Sequence, residues 1–319
     1  MKLGIIGLPG SGRRTLFGAL TGVVNQGLYG NSGQNIGIVK VPDKRLDWLT
    51  ELYAPKKTTN AAIEFVLPLG SDRTSLRQAD ALVHVVNCFG NENPAENAED
   101  LTTELLLSDI ESAEKRIERA KKNAKGDKKF AEEAATLERL RNHLGQGKPA
   151  REFDVSVPEL LTNKPVIYVA NVAESGLSDD KFIFDGADAL TVCAKLECDL
   201  LELEPDERQT FLDDLGVSET GLDAMIRRSY EILGLISFLT AGKDEVRAWT
   251  IRDGTKAPGA AGKIHSDLER GFIRAEVVAF DDLKANGSMK AVKDKGLARM
   301  EGKEYIVKDG DVMNILFNV

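Results

Sequence analysis

The stretch Gly7-Leu-Pro-Gly10-Ser-Gly12-Arg13-Arg14-Thr15 lies directly between an apolar run, Leu3 to Ile6, and a segment from Thr15 to Leu20 that reads as the start of a helix. Closely spaced glycines between a buried strand and a helix allow backbone N–H groups to curl around an anion. A loop of the form G-x-x-x-x-G-K-[ST] adds a Lys for the outer phosphates and a hydroxyl for magnesium. Here Arg13 stands at the Lys position and Arg14 at the hydroxyl position. The frame is that of a nucleotide-binding loop, while its two chemically active side chains are different.

Further apolar strands are predicted at Ala62 to Leu67, Ala81 to Cys88, Pro165 to Asn171 and Ala189 to Ala194. Separated by helical or irregular stretches, they predict an α/β domain with a mostly parallel sheet covered on both faces. A chain of 319 residues has room for two or three such domains.

Between these strands the texture changes. Leu106, Ile110, Ala113, Ile117, Ala120 and Ala124 recur at alternating spacings of four and three, the seam of a coiled coil. Gly126-Asp127 breaks it, and a second seam runs through Phe130, Ala134, Leu137, Leu140 and Leu144. Two helices of similar length would form an antiparallel hairpin projecting from the sheet domain. Its charged outer faces read as solvated surface.

From Gly234 onward, strands are expected at Leu235 to Thr240, Val246 to Ile251 and Ile273 to Phe280, with a helix at Ala260 to Arg270. The end, Tyr305 to Phe317, reads as two strands around the Lys308-Asp-Gly-Asp311 turn. Strands around a helix make a small mixed domain, suited to binding a partner.

Composition narrows the function classes. No apolar run approaches the roughly 18 residues that span a bilayer, and no secretory leader is expected, so the cytoplasm is the predicted location and a membrane is not a predicted partner. Cys88, Cys193 and Cys198, like His84, His143 and His265, are too scattered for a disulfide framework or a zinc site. A net charge of -9 argues against broad adhesion to nucleic acid, DNA included. Residues 243–319 nevertheless hold 14 basic against 13 acidic residues, so the acidic excess lies elsewhere.

The chain resembles the Obg-like ATPases of the YchF type, in the translation-factor branch of P-loop NTPases. The resemblance rests on Gly7-Leu-Pro9 and Gly12, Val41 to Leu46, Ala79 to Val86, Cys88-Phe89, Gly147 to Arg151, Lys164 to Val172, Leu233 to Leu235, Thr240 to Gly242, Val246 to Ile251, Gly271 to Glu276 and Tyr305 to Val319. It implies a P-loop NTPase-type domain over residues 1–94 and 149–234, a coiled-coil arm over 95–148, and a C-terminal β-grasp (TGS-like) domain over 235–319. The last is a module associated with RNA or ribosome contacts.

On the base side, Asn171-Val-Ala-Glu174 corresponds to the Asn-Lys-x-Asp of GTPase relatives, in the variant that the family associates with ATP over GTP. Cys193-Ala194-Lys195 corresponds to its Ser-Ala-Lys element. As an isolated match, Asn171 would be a turn cap and Glu174 a solvated carboxylate. On the phosphate side, the resemblance implies binding by Gly7, Gly10, Ser11, Gly12, Arg13, Arg14 and Thr15. Arg13 keeps a positive charge, but its planar fork is not interchangeable with an ammonium group.

Other family groups are replaced. Leu67 stands where a metal-supporting Asp is expected, Asn31 takes the place of a switch Thr, and the segment Ser71 to Arg77 is contracted, with Asp72 at the wrong offset. The His that the family uses in hydrolysis is missing after Cys88-Phe89. These losses together predict no catalytic residue, no metal ligand and no role for magnesium, with ATP or ADP as the nucleotide.

Three readings stay open from the sequence. The first is a nucleotide-binding, hydrolysis-deficient regulator acting through the ribosome or a ribosomal RNA–protein surface. The second is an active ATPase using Arg13, and the third a scaffold without nucleotide. Lys290, Lys293 and Lys295, within a loose basic run from Lys284 to Lys303, are the candidate RNA contacts. His84, at a buried strand position, reads as a core residue, and so does Trp249.

Overall fold

The structure is a computed structural model that describes residues 1–22, 34–68, 73–90, 93–124, 127–177, 181–214 and 219–318. The first third of the chain contains β1 (Lys2–Ile6), α1 (Arg13–Thr21), β2 (Gln34–Lys40), α2 (Lys44–Tyr53), β3 (Lys57–Thr59), β4 (Ala62–Pro68), α3 (Thr74–Arg77) and β5 (Ala81–Asn87). Next come α4 (Pro94–Asn123), α5 (Lys128–Gly145), β6 (Val166–Asn171), β7 (Ile183–Phe184), β8 (Ala187–Asp188), β9 (Leu190–Val192), α6 (Ala194–Leu200), α7 (Pro205–Asp214) and α8 (Gly221–Ile232). The last part holds β10 (Leu235–Ala241), β11 (Glu245–Arg252), α9 (Ala257–Ile264), α10 (Ser266–Arg270), β12 (Phe272–Ala279), α11 (Phe280–Asn286), α12 (Met289–Asp294), β13 (Arg299–Glu301) and β14 (Asp311–Phe317).

Two compact units result: residues 1–39 with 64–225, and residues 40–63 with 226–319. In the first, the sheet order is β2-β4-β1-β5-β6-β9. The pairs β4–β1, β1–β5, β5–β6 and β6–β9 are all parallel. The inner strands β1, β5 and β6 are near-continuous buried apolar runs, as expected of parallel strands covered on both faces, whereas the edge strand β2 leaves Ile36 and Ile38 exposed. β1 sits where the chain order reverses, so the loop leaving its carboxyl end opens at a topological switch point.

The arm is a helical hairpin of unequal partners, 30 residues in α4 and 18 in α5. Its seam buries Leu106, Ala113, Ile117 and Ala120 against Ala134, Leu137, Leu140 and Leu144. The expectation of similar lengths fails because the first turns of α4 serve the sheet. Leu101 and Leu105 pack with Ile6, Leu76, Leu82 and Leu161 before the seam begins.

Polar groups are buried at the arm's root. The fully buried Asp109 carboxylate accepts from Leu161 N at 2.9 Å, Thr162 N at 2.7 Å and Thr162 Oγ1 at 2.8 Å. Lys164 Nζ donates to the carbonyls of Arg77, Ala79 and Pro158 at 3.0, 2.5 and 3.3 Å. These contacts tie α3, α4 and the segment before β6 together.

In the second unit, the sheet order is β13-β12-β14-β10-β11-β3. Period-two alternation gives it two covered faces. Phe238, Val277 and Met313 pack with Ala257, Ala260 and Ala261 on one face. Leu239, Val278 and Val312 pack with Leu46, Leu49, Leu283 and Val292 on the other.

Residues 40–63, which lie within the stretch expected to form the P-loop domain, contribute α2 and β3 to this second unit. Two C-terminal expectations are corrected. The helix expected over Ala260 to Arg270 is two helices, because His265 at φ -162° ends α9 and its Nδ1 accepts from Asp267 N, capping α10. Of the two strands expected around the final turn, only β14 forms. The residues before it are held by one bridge, Lys256 to Ile306.

Candidate functional site

The loop between β1 and α1 is shaped by backbone that favours glycine. Gly10 has φ +85° and Gly12 φ +83°, the left-handed region that other residues adopt at a cost. Gly12 is the N-cap of α1 and no side chain caps the helix. The first-turn N–H groups therefore remain donors at the positive end of the helix dipole. Ser11 N closes the turn onto Leu8 O at 3.1 Å. The Ser11 hydroxyl is buried without a hydrogen-bond partner.

Asn171, at the end of β6, joins the loop to the second predicted segment. Its Nδ2 donates to Ser11 O at 2.9 Å, and its Oδ1 accepts from Ala194 N at 3.0 Å. A Cβ added to Gly12 would overlap Asn171 Nδ2. The Cys198 thiol, one turn further along α6, lies 3.6 Å from Thr15 O. The structure thus brings together Gly7, Gly10, Ser11, Gly12, Asn171, Cys193 and Ala194, of which Gly7, Ser11, Asn171, Cys193 and Ala194 are buried. Glu174 begins a short 3-10 turn and is exposed, as are Arg14, Thr15 and Lys195.

Arg13 folds back on its own loop, its Nη1 donating to Gly7 O at 2.8 Å. Burial and then the neighbouring Arg14 charge hold its guanidinium below the ordinary arginine range, with Glu104 acting weakly the other way. Arg14 has no ion pair or hydrogen-bond partner among the described residues. The first turn of α1 contains no acidic residue. Leu67 is fully buried in β4. Asn31 and Asp72 lie outside the described residues.

The candidate RNA contacts, in the other unit, are only partly free. Lys293 pairs with Glu276 at 2.8 Å and Lys295 Nζ donates to Asn286 Oδ1 at 2.6 Å. Lys290 is exposed.

Residues 235–318 match the YchF-GTPase_C family model, which is described as a protein of unknown function (DUF933). The chain is 42% identical to the ribosome-binding ATPase YchF of Bacillus subtilis (strain 168) over 364 residues, with 100% of both chains covered. It is 41% identical to the ribosome-binding ATPase YchF of Escherichia coli O157:H7 over 360 residues, covering 100% of this chain and 99% of the other. The chain belongs to the YchF family. The structure of the Schizosaccharomyces pombe YchF GTPase matches the fold with a TM-score of 0.85 at 30% identity, covering 99% of this chain and 97% of that one. The Bacillus match extends over 364 residues against 319 here, so that relative carries segments this chain lacks.

Two groups implied by YchF membership can be weighed against these residues. A nucleotide's phosphates fit: the left-handed glycines, the uncapped N–H groups of α1 and the unpartnered Ser11 hydroxyl form a cradle with donors to spare. Magnesium does not fit, since Arg14 repels a cation and Leu67 offers no lone pair.

Asn171, expected from the sequence to lie at the base, braces the glycine loop through Ser11 O. The only local signal was an Asn ending an apolar strand. Its partners, Ser11 and Ala194, are far away in sequence.

Proposed function

We propose that this YchF-family chain binds an adenine nucleotide, ATP or ADP, without hydrolysing it, and works as a regulatory protein through contacts with the ribosome. The observation that carries this reading is the pairing of an intact loop backbone, Gly10 and Gly12 in left-handed geometry, with Arg14 and Leu67 at the magnesium positions. The phosphates keep their donors while the metal chemistry of phosphoryl transfer loses its supports.

The nucleotide would lie along Gly7, Gly10, Ser11, Gly12, Arg13, Arg14 and Thr15. Its base would lie near Asn171, Glu174 and the Cys193-Ala194-Lys195 segment. Ribosome contact is supported by relatives named as ribosome-binding ATPases. The arm, residues 95–148, and the TGS-like portion, residues 235–319, would make that contact, which would put the protein in the cytoplasm. No described helix is long and apolar enough to cross a membrane.

The deciding experiment measures nucleotide binding by calorimetry beside ATP turnover with and without magnesium. Adenine nucleotide binding without turnover above background supports the proposal. Magnesium-dependent turnover that disappears in Gly12→Val would instead favour an active ATPase using Arg13. One observation favours a third reading, a scaffold without nucleotide: Arg13 already bonds its own loop at Gly7 O. That reading requires that neither ATP nor ADP bind.

A further inference from the structure

We infer that the loop binds its polyphosphate without a divalent cation, the Arg14 guanidinium taking over the electrostatic role of magnesium. This rests on the proposal that a nucleotide occupies the loop and adds how its charge is neutralised.

Three independent features converge on it. Arg13 and Arg14 occupy the first two positions of α1, where the helix dipole disfavours cations, and no acidic residue in that turn offsets them. Two adjacent guanidinium groups at the positive end of a helix are an arrangement that an anion relieves and a metal ion worsens. Secondly, Arg14 is exposed and unpaired among the described residues, so it reaches a ligand without breaking an internal bond. Thirdly, the Ser11 hydroxyl is buried inside the loop with no partner, beside the position that a Cβ of Gly7 would fill. A hydroxyl so placed gains a bond when an anion arrives.

The two arginines supply +2, one unit less than the +3 of a Lys with a divalent ion, and make up for it with donors. A standard loop presents one Lys and one divalent ion to the phosphates. Here two fixed guanidinium groups do so, and a guanidinium donates in a fork that matches two phosphate oxygens. Magnesium added to the solution would then compete with Arg14 for the same oxygens, lowering the charge that the protein can bind.

Calorimetric titration of the full chain with ATP, ADP and inorganic tripolyphosphate, in EDTA and in excess magnesium, tests this. The intact protein is expected to bind at least as tightly in EDTA as in magnesium. Arg14→Ser is expected to lose about tenfold or more of the metal-free affinity and to bind better with magnesium than without. Arg14→Ala should lose the metal-free affinity and gain no magnesium dependence. Arg14 is exposed, and thermal melts of both variants check that the fold is kept. Binding by the intact chain only in magnesium overturns this inference and leaves the nucleotide proposal standing. An Arg14→Ala variant that binds as tightly as the intact chain in EDTA also overturns it. If no ligand binds the intact chain under either condition, both fail.

Discussion

Asn171 holds two chain segments at once, through Nδ2 to the carbonyl of Ser11 at 2.9 Å and through Oδ1 from the backbone N–H of Ala194 at 3.0 Å. Both partners are buried with it, so neither has water as a substitute. Asn171→Ala is expected to destabilise the fold by about 1–3 kcal/mol and to weaken ATP binding. Gly12→Ala should do the same by a different route, because its Cβ meets Asn171 Nδ2 and its φ of +83° disfavours a side chain. Urea denaturation and ATP titration of the two variants check this. Unchanged affinity in both would detach Asn171 from the nucleotide site.

Two buried titratable groups in the first unit pull against each other as pH changes. Burial pushes His84 down to about 4 and Glu197 up to about 7. For His84, the unfolded chain binds the extra proton, so its contribution is complete above the ordinary histidine value and is lost as pH falls towards 4. For Glu197, the folded chain keeps the proton, so its contribution is complete below the ordinary carboxyl value and is lost as pH rises through about 7. Each is worth roughly 3 kcal/mol across its window, and the two windows overlap. His84→Gln should therefore become less stable relative to the parent as pH rises from 4.5 to 7, on the order of the same 3 kcal/mol. Glu197→Gln should become more stable relative to the parent over that range. Denaturation midpoints at several pH values decide it, and parallel curves for all three proteins would contradict it.

Asp109 is a third buried group, at the root of the arm, with three bonds from Leu161 and Thr162 and an ion pair to Arg77 at 3.5 Å. Asp109→Ala strands two backbone N–H groups and is expected to cost about 3–5 kcal/mol. Asp109→Asn, which keeps one acceptor, should cost less. A loss below about 1 kcal/mol in the alanine variant would show that the segment before β6 is held by packing alone.

The parts of this fold that were legible in the sequence are those whose signal is local. The glycine spacing after Leu3 to Ile6 gave the loop, and the four-three spacing from Leu106 gave the arm. The destination of residues 40–63 was not legible, because Leu46 and Leu49 of α2 find Leu239, Val246 and Val312, all at least 190 positions away. α11 and α12 were hidden for a related reason. α11 buries only Phe280 and Leu283, and α12 only Val292, among charged neighbours that mask the helical period. The strand expected at Tyr305 to Val307 has the right residue types, but it pairs only at one bridge, and Tyr305 instead donates its hydroxyl to Asp311 at 2.7 Å. At the candidate site, the spacing of Gly10, Gly12 and Arg13 marks the loop, and the two glycines adopt the left-handed backbone that such a loop needs. The role of Asn171 depends on two contacts that no window of sequence contains.

The proposed ribosome contact is best tested at one of the three candidate lysines, Lys290. Lys293 is paired with Glu276 and Lys295 with Asn286, so reversing either one disturbs the unit's own surface before it disturbs a partner. Lys293→Glu would set two carboxylates against each other, and lost binding could then reflect local repulsion. Lys290 has no such partner among the described residues, and α12 presents it to solvent. If this helix touches ribosomal phosphate, Lys290→Glu should weaken co-sedimentation with ribosomes by severalfold and make the salt dependence shallower, since each phosphate contact adds to the slope. Thermal stability should stay within about 0.5 kcal/mol of the parent, as for other exposed substitutions. Ribosome binding that is unchanged by Lys290→Glu at low and moderate salt would take α12 out of the interface and leave the arm to carry it.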